Sequence, residues 1–325
     1  MKKNIALIAG GDSGEYSISI NSASMVLAQI DQSKYELYLI VIKGRSWTYN
    51  HPELGSIDID KNDFSLTIAE EKIVFDLIFN LIHGSPGENG KLQGYFDMLG
   101  LPYTSSNAVT SALTFNKAYC NQVVRATGVA VSKNVHLFKH RACDLETLLK
   151  NISLPAFVKP NQGGSSVGMS KVMEAKELKP AIEKAFAEDD EIIIEEFIKG
   201  RELTCGVFEY DSEILRFPVT EIISKKDFFD YEAKYNPAFA EEITPAEITE
   251  EDSTRIQETS AKLYQVLNCK GLVRFDYILN SDNLWFLEVN TIPGMSNESI
   301  IPQQINAMGY TLGDFYSMII EEALR

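Results

Sequence analysis

The run Ile5-Ala6-Leu7-Ile8-Ala9-Gly10-Gly11-Asp12-Ser13-Gly14-Glu15 sets the fold class. A continuous apolar stretch of this kind reads as a buried parallel strand, and it empties into a glycine-rich loop. Residues 17–30 then carry apolar side chains at helical spacing, giving strand, loop and helix. The pattern returns further on: residues 75–82 form an apolar strand, His83-Gly84-Ser85-Pro86-Gly87-Glu88-Asn89-Gly90 a second loop, and residues 92–99 a helix. Two such units predict an open α/β domain whose loops line one sheet edge. A dinucleotide fold is the first comparison, but a nicotinamide-dependent oxidoreductase needs G-x-G-x-x-G. The glycines here are Gly10, Gly11 and Gly14, and no acidic residue ends the strand at 37–42. Glu15, at the helix start, suits either of two roles: stabilising the helix dipole, or gripping a substrate ammonium group.

At 325 residues and 45% hydrophobic content the chain fits two or three domains with full cores. Its net charge of −16 argues against nucleic-acid or anionic-membrane partners. A polyanionic substrate would therefore need cations supplied locally. Cys120, Cys143, Cys205 and Cys269 form no C-x-x-C pair, so reduced thiols are expected and zinc is not. No signal-peptide core and no membrane-length apolar run is visible, which predicts a soluble, cytoplasmic protein.

In the middle of the chain, residues 110–127 read as a helix carrying Lys117, and 154–159 as a strand ending in Lys159. Asn161-Gln162-Gly163-Gly164-Ser165-Ser166-Val167-Gly168 follows, then a returning strand at 169–172. Glycines let backbone approach a phosphate and serines add donors, although the G-K-[ST] of a Walker loop is absent. Lys117 and Lys159 are ordinary surface lysines when taken singly; beside this flap they suit phosphate contacts. A helix at 175–187 and an apolar strand at 191–198 come next. Glu195, Phe197, Ile198 and Glu202 then form a slot able to take a flat base and a ribose, though a sheet core explains residues 192–194 equally well. Residues 220–248 lose all period, and their charges, aromatics and two prolines read as a lid carrying Lys234 and Tyr235.

Residues 270–299, K-G-L-V-R-F-D-Y-I-L-N-S-D-N-L-W-F-L-E-V-N-T-I-P-G-M-S-N-E-S, gather the remaining chemistry. Strands at 272–279 and 284–289 flank a turn and read as a hairpin. Glu288 and Asn290, two apart, share a face; if the register turns Asp276 to it, an all-oxygen ligand set suited to Mg²⁺ results. Solvated acids at strand ends are the plainer reading. Arg274, two before Asp276, brings a fixed positive charge. The loop after Asn290 is built to present backbone N–H groups. A helix at 253–267 precedes the hairpin, and helical segments interrupted at Gly309 close the chain.

Taken in order, G-G-D-S-G-E-Y-S-I-S, L-I-H-G-S-P-G-E-N-G, S-A-L-T-F-N-K, F-V-K-P-N-Q-G-G-S-S-V-G-M-S-K-V, D-Y-E-A-K-Y, R-F-D and E-V-N-T-I-P-G-M-S resemble the motif set of D-alanine–D-alanine ligases, members of the ATP-grasp superfamily. The resemblance runs from about residue 5 to about 320. It implies a three-domain α/β architecture: a first-substrate domain (1–105) with an open parallel sheet, a central ATP-grasp domain (106–200), and a C-terminal domain (201–325) with the metal site and the lid at about 220–248. ATP, a substrate, would lie between the last two. By resemblance Lys117 and Lys159 hold the nucleotide phosphates, with Ser165 and Ser166 on the glycine flap and Lys234 of the lid also binding the nucleotide, and Glu195, Phe197, Ile198 and Glu202 hold adenosine. Asp276, Glu288 and Asn290 would bind two Mg²⁺, with Mn²⁺ a substitute. Glu15 would take the ammonium of the first of two D-alanines and, with Ser165 and Tyr235, hold the lid closed; Arg274 and the N–H groups near Gly294 would stabilise an oxyanion, with Ser299 and His83 nearby. The implied reaction is carboxylate activation to an acyl phosphate followed by amine attack, for peptidoglycan precursor synthesis, in a homodimer. Tyr16, Asn89 and Phe197 stand where arginine, aspartate and tryptophan are common. D-lactate or D-serine as acceptor, and a nucleotide-binding protein without turnover, are the alternatives.

Overall fold

The computed structural model describes residues 2–224 and 240–325. Its first strands are β1 (Lys3–Gly10), β2 (Tyr35–Lys43), β3 (Ser46–His51), β4 (Gly55–Asp58), β5 (Leu66–Ile68), β6 (Glu71–Ile73) and β7 (Leu77–Asn80), with helices α1 (Tyr16–Gln29) and α2 (Lys91–Leu99). The main sheet runs β4-β3-β2-β1-β7, and β1 is parallel to both β2 and β7. Residues 5–9 of β1 are wholly buried, as a strand covered on both faces requires. Parallel pairing of β1 with β7 brings their C-terminal ends to one edge. The two glycine-rich loops consequently meet there.

A second group comprises α3 (Ala108–Phe115), α4 (Lys117–Ala126), β8 (Ala130–Val131), β9 (Asn134–Phe138), α5 (Leu145–Asn151), β10 (Ala156–Pro160), β11 (Ser170–Val172), α6 (Ala175–Glu188) and β12 (Glu191–Glu196). Antiparallel strands in the order β11-β10-β12-β9 form a sheet whose core is closed by α5 and α6. The glycine-serine loop joins β10 to β11, an antiparallel hairpin as expected. Residues 110–127 do not form one helix. Asn116 adopts extended backbone between α3 and α4, and its side chain accepts from Tyr119 N, so it ends one helix and caps the next. Lys117 therefore opens α4.

The third group holds β13 (Arg201–Tyr210), β14 (Glu213–Arg216), β15 (Thr220–Ser224), β16 (Ala240–Ile243), α7 (Glu250–Val266), β17 (Val273–Leu279), β18 (Leu284–Asn290), α8 (Ile300–Ala307) and α9 (Leu312–Ala323). The sheet runs β16-β15-β13-β17-β18-β8, with β14 beside β13. Side chains of α4 and β8 share its core with α7, so residues 108–131 pack on this sheet as well. Phe208, Phe217 and the α9 residues Phe315 and Tyr316 share a core with β1 and α1, which ties the third group to the first. The aperiodic stretch 220–248 is corrected at both ends: 220–224 and 240–243 are paired antiparallel strands. Period-2 alternation over so few residues is too short to read. Lys234 and Tyr235 lie outside the described residues.

The turn into β17 fixes where that strand begins. Gly271 has φ +67°, and a Cβ there would meet Thr104 O at 1.9 Å. Both the left-handed backbone and the backbone contact forbid a side chain. Gly271→Ala is expected to lower unfolding stability by more than ~2 kcal/mol, read as a fall in the urea midpoint at unchanged m-value.

Candidate active site

A cleft of about 1740 Å³ opens where the three groups of elements face one another. Every candidate residue inside the described part of the chain lines it: Glu15, His83, Lys117, Lys159, Ser165, Ser166, Glu195, Phe197, Ile198, Glu202, Arg274, Asp276, Glu288, Asn290, Gly294 and Ser299. Their elements explain the convergence. The parallel pair β1–β7 delivers Glu15 and His83, the β10–β11 hairpin delivers Lys159 and the serines, and the β17–β18 hairpin delivers Arg274 and the oxygen ligands.

In that last hairpin Asp276 stands directly opposite Glu288, and Arg274 opposite Asn290, with a bulge between Asp276 and Tyr277. Cross-strand partners share a face, so the expected grouping is present. Arg274 donates from Nε and Nη2 to the two Asp276 oxygens, both at 2.9 Å, and Asn290 Nδ2 donates to Oδ2 at 2.9 Å. Burial opposes the Arg274 charge, but the carboxylates of Asp276, Glu288 and Glu242 hold its pKa above the usual value. The pairing also orients Asn290: with its nitrogen turned to Asp276, its carbonyl oxygen is available as a ligand. Two carboxylates and an amide oxygen suit a hard divalent cation, so the residues fit magnesium by the chemistry of the donors.

Lys159 forms an ion pair of 2.5 Å with Glu195, which also accepts from Asn121 Nδ2 at 2.8 Å. Burial works against the lysine charge, yet Glu195 and Glu288 raise its pKa overall. Lys117 Nζ donates to Gly163 O at 2.6 Å, joining the start of α4 to the flap. Within the flap Ser165 and Ser166 take φ of 53° and 58°, a left-handed pair that non-glycine residues adopt at a cost. Phe197 offers a flat face, with Lys171 Nζ 4.3 Å from its ring centre. This lysine is a further cation of the cleft.

Glu15 sits at the N-cap of α1 but makes no side-chain cap bond. Instead Ser165 Oγ donates to its Oε1 at 2.6 Å, across 150 residues of sequence. This contact links the start of α1 to the flap. His83 is buried; its Nδ1 lies 2.8 Å from Ile292 O and its Nε2 3.4 Å from Ser22 Oγ. Burial lowers its pKa, so the ring is neutral and Nδ1 donates to the carbonyl. It thereby links the first sheet to the loop that follows β18. In that loop a Cβ on Gly294 would meet Ser299 Oγ at 2.7 Å, and Ser299 is the N-cap of α8.

Among the acids of the cleft that sequence reading passed over are Glu88 and Glu242. Glu88 accepts from Gly84 N at 2.6 Å and Ile292 N at 3.3 Å. Its place in the quoted loop H-G-S-P-G-E-N-G was visible; its two backbone contacts were not.

Known proteins match the chain over nearly its whole length. A family profile described as D-ala D-ala ligase N-terminus matches residues 4–106, and one described as D-ala D-ala ligase C-terminus matches 123–321. The chain is 44% identical to the D-alanine–D-alanine ligase of Bacteroides fragilis over 322 residues, covering 99% of each. With that of Parabacteroides distasonis it shares 46% over 326 residues, covering 100% of this chain and 98% of the relative. The crystal structure of VanG D-Ala:D-Ser ligase from Enterococcus faecalis superposes with a TM-score of 0.87 at 32% identity, over 99% of this chain and 100% of that one. That of the Bacillus anthracis D-alanine–D-alanine ligase complexed with ATP gives 0.80 at 30%, over 100% and 98%. Agreement this long, in sequence and fold alike, puts the molecule in the ATP-grasp class of ligases. More narrowly, the chain belongs to the D-alanine–D-alanine ligase family and is an ATP-dependent ligase.

Burial, and next the charge of Glu15, push the Glu88 carboxyl up to about 8 from its ordinary 4.5. The folded state therefore keeps a proton that the unfolded state releases, and stability contributed by this group is lost as pH rises between those values. Glu88→Gln should flatten the fall in unfolding free energy between about pH 5 and pH 8, measured by urea unfolding at a series of pH values.

Proposed function

We propose that the cleft joins two D-alanines into D-alanyl-D-alanine through an acyl phosphate, releasing ADP and phosphate, for peptidoglycan precursor synthesis. The observation that carries the reading is the β17–β18 face, where Arg274, Asp276, Glu288 and Asn290 meet in one cleft with Lys117, Lys159 and the glycine-serine flap. Activation of a carboxylate by ATP needs that combination of fixed cations, an oxygen ligand set and backbone donors.

In this reading Lys117 and Lys159 hold phosphates with Ser165 and Ser166, Lys234 of the lid also binds the nucleotide, and Glu195, Phe197, Ile198 and Glu202 hold adenosine. Asp276, Glu288 and Asn290 hold Mg²⁺, two ions by family resemblance, or Mn²⁺. When bound, such cations neutralise the charge on the phosphate oxygens. Glu15, tethered to Ser165 and completed by Tyr235, takes the ammonium of the first D-alanine and leaves its carboxylate free to attack the γ-phosphorus. Arg274 and the N–H groups near Gly294, with His83 and Ser299 beside them, stabilise the oxyanion formed when the second amine adds to the acyl phosphate. The same reading divides the chain at about residues 105 and 200 into first-substrate, central and C-terminal units.

Family membership is what supports a homodimer. The four cysteines are free, as suits a reducing cytoplasm, and no helix among the described residues is long and apolar enough to cross a membrane. The strongly acidic chain disfavours nucleic acid as a partner.

ADP release by the purified protein with ATP, Mg²⁺ and D-alanine, with the product weighed by mass spectrometry, tests the reading. L-alanine alone, D-alanine plus D-lactate, and D-alanine plus D-serine run in parallel. D-alanine-dependent release with D-alanyl-D-alanine as product is expected; binding of ATP without turnover, or a mixed product as the main one, would overturn it. Arg274→Ala should lower kcat by about two to three orders of magnitude, and a loss under tenfold in steady-state ADP release removes it from the oxyanion role.

A further inference from the structure

Glu242 is among the cleft acids that the reaction above does not use. Glu242 lies on β16 and is partly buried among residues that line the same cleft as Arg274, Ser299, Ile300 and Gln303. Gln303, on α8, donates Nε2 to Glu242 Oε2 at 2.6 Å. Among the described residues no donor meets Oε1, and that oxygen is not sealed off from the cleft. The carboxylate is therefore held by one oxygen and offers the other.

Its neighbours define what it can receive. Arg274 and Glu242 lie within electrostatic reach, each altering the other's titration. Several other acids of the cleft have partners. Asp276 is bound by Arg274 and Asn290, Glu88 by two backbone N–H groups, Glu221 by Arg201 in a paired contact, and Glu15 by Ser165. Glu298 is exposed. The second amino acid reaches this region as a zwitterion, and its ammonium must find an anion and lose protons before it can attack. A hydroxy acid brings no such charge.

We propose that Glu242 is the carboxylate that receives the acceptor's ammonium group and takes the first of its protons. The inference rests on the ligase reading above. In the step, one N–H proton passes to Glu242 Oε1 and the freed lone pair forms the C–N bond at the acyl-phosphate carbonyl carbon. The C–O bond to phosphate breaks, phosphate leaves with the electron pair, and it carries away the second proton to give the neutral amide. Burial raises the Glu242 pKa, with Gln303 and Arg274 pulling it back; the arm of the pH profile that rises with pH would report its loss of a proton.

The test compares wild type, Glu242→Gln and Glu242→Asp. The glutamine variant keeps an oxygen to accept from Gln303, so the fold-holding bond is retained. Acyl-phosphate formation is read separately by positional oxygen-18 exchange in ATP with D-alanine. Expected for Glu242→Gln are exchange within twofold of wild type, a KM for the acceptor D-alanine raised tenfold or more, loss of the acidic arm of the pH profile, and a tenfold fall in preference for D-alanine over D-lactate. Glu242→Asp should recover the acidic arm. An acceptor KM and pH profile within twofold of wild type in Glu242→Gln would overturn the proposal, as would exchange falling in parallel with ligation. Wild type showing neither exchange nor D-alanine-dependent ADP release would remove the ligase reading itself.

Discussion

The bidentate pair between Arg274 and Asp276 is the interaction on which the rest of the site depends. Two like-signed acids, Asp276 and Glu288, face each other across adjacent strands, an arrangement that repels unless cations intervene. Arg274 supplies one fixed charge from the same face, two residues along the same strand. Removing it would leave carboxylates in a site where burial makes unpaired charge costly. Asn290 completes the set by donating to Asp276, which points its own oxygen outward. The ligand set is thus preorganised by protein contacts.

Charge balance extends this logic across the cleft. A chain of net charge −16 that handles a polyanion must concentrate its cations, and Lys117, Lys159, Lys171 and Arg274 line one cleft. Each is held by an anionic or carbonyl oxygen or an aromatic face: Lys159 by Glu195, Lys117 by Gly163 O, Lys171 over Phe197. These contacts keep long flexible side chains in place at the cost of some of their field. The flap adds a further constraint, because Ser165 reaches Glu15 while in a strained left-handed conformation. One hydrogen bond thereby couples the region read as the first-substrate site to the loop over the nucleotide.

Much of this was legible in the sequence because the signals are local. Repeated strand-loop-helix units gave the parallel sheet, and the spacing of Glu288 and Asn290 gave their common face. Asp276 joined them only through register, which the turn at 280–283 and the bulge after Asp276 determine. The break at Asn116 was missed because Thr110 to Thr127 keeps helical spacing through it; a single side-chain cap overrides the pattern. The paired strands around 224 and 240 are too short to announce themselves. Glu88 and Glu242 illustrate a different limit: nothing in a loop glutamate or a strand glutamate signals a contact with Ile292 N or Gln303 contributed from distant sequence.

The central claim is that the β17–β18 face is an oxygen-liganded cation site serving the nucleotide in this cleft. A crystal structure of the protein with ADP and Mn²⁺, with anomalous difference maps at the manganese edge, tests it directly. The account predicts anomalous peaks bounded by Asp276, Glu288 and Asn290, between those residues and the nucleotide phosphates. Manganese bound only elsewhere, or nucleotide phosphates lying away from Lys117 and Lys159, would contradict it.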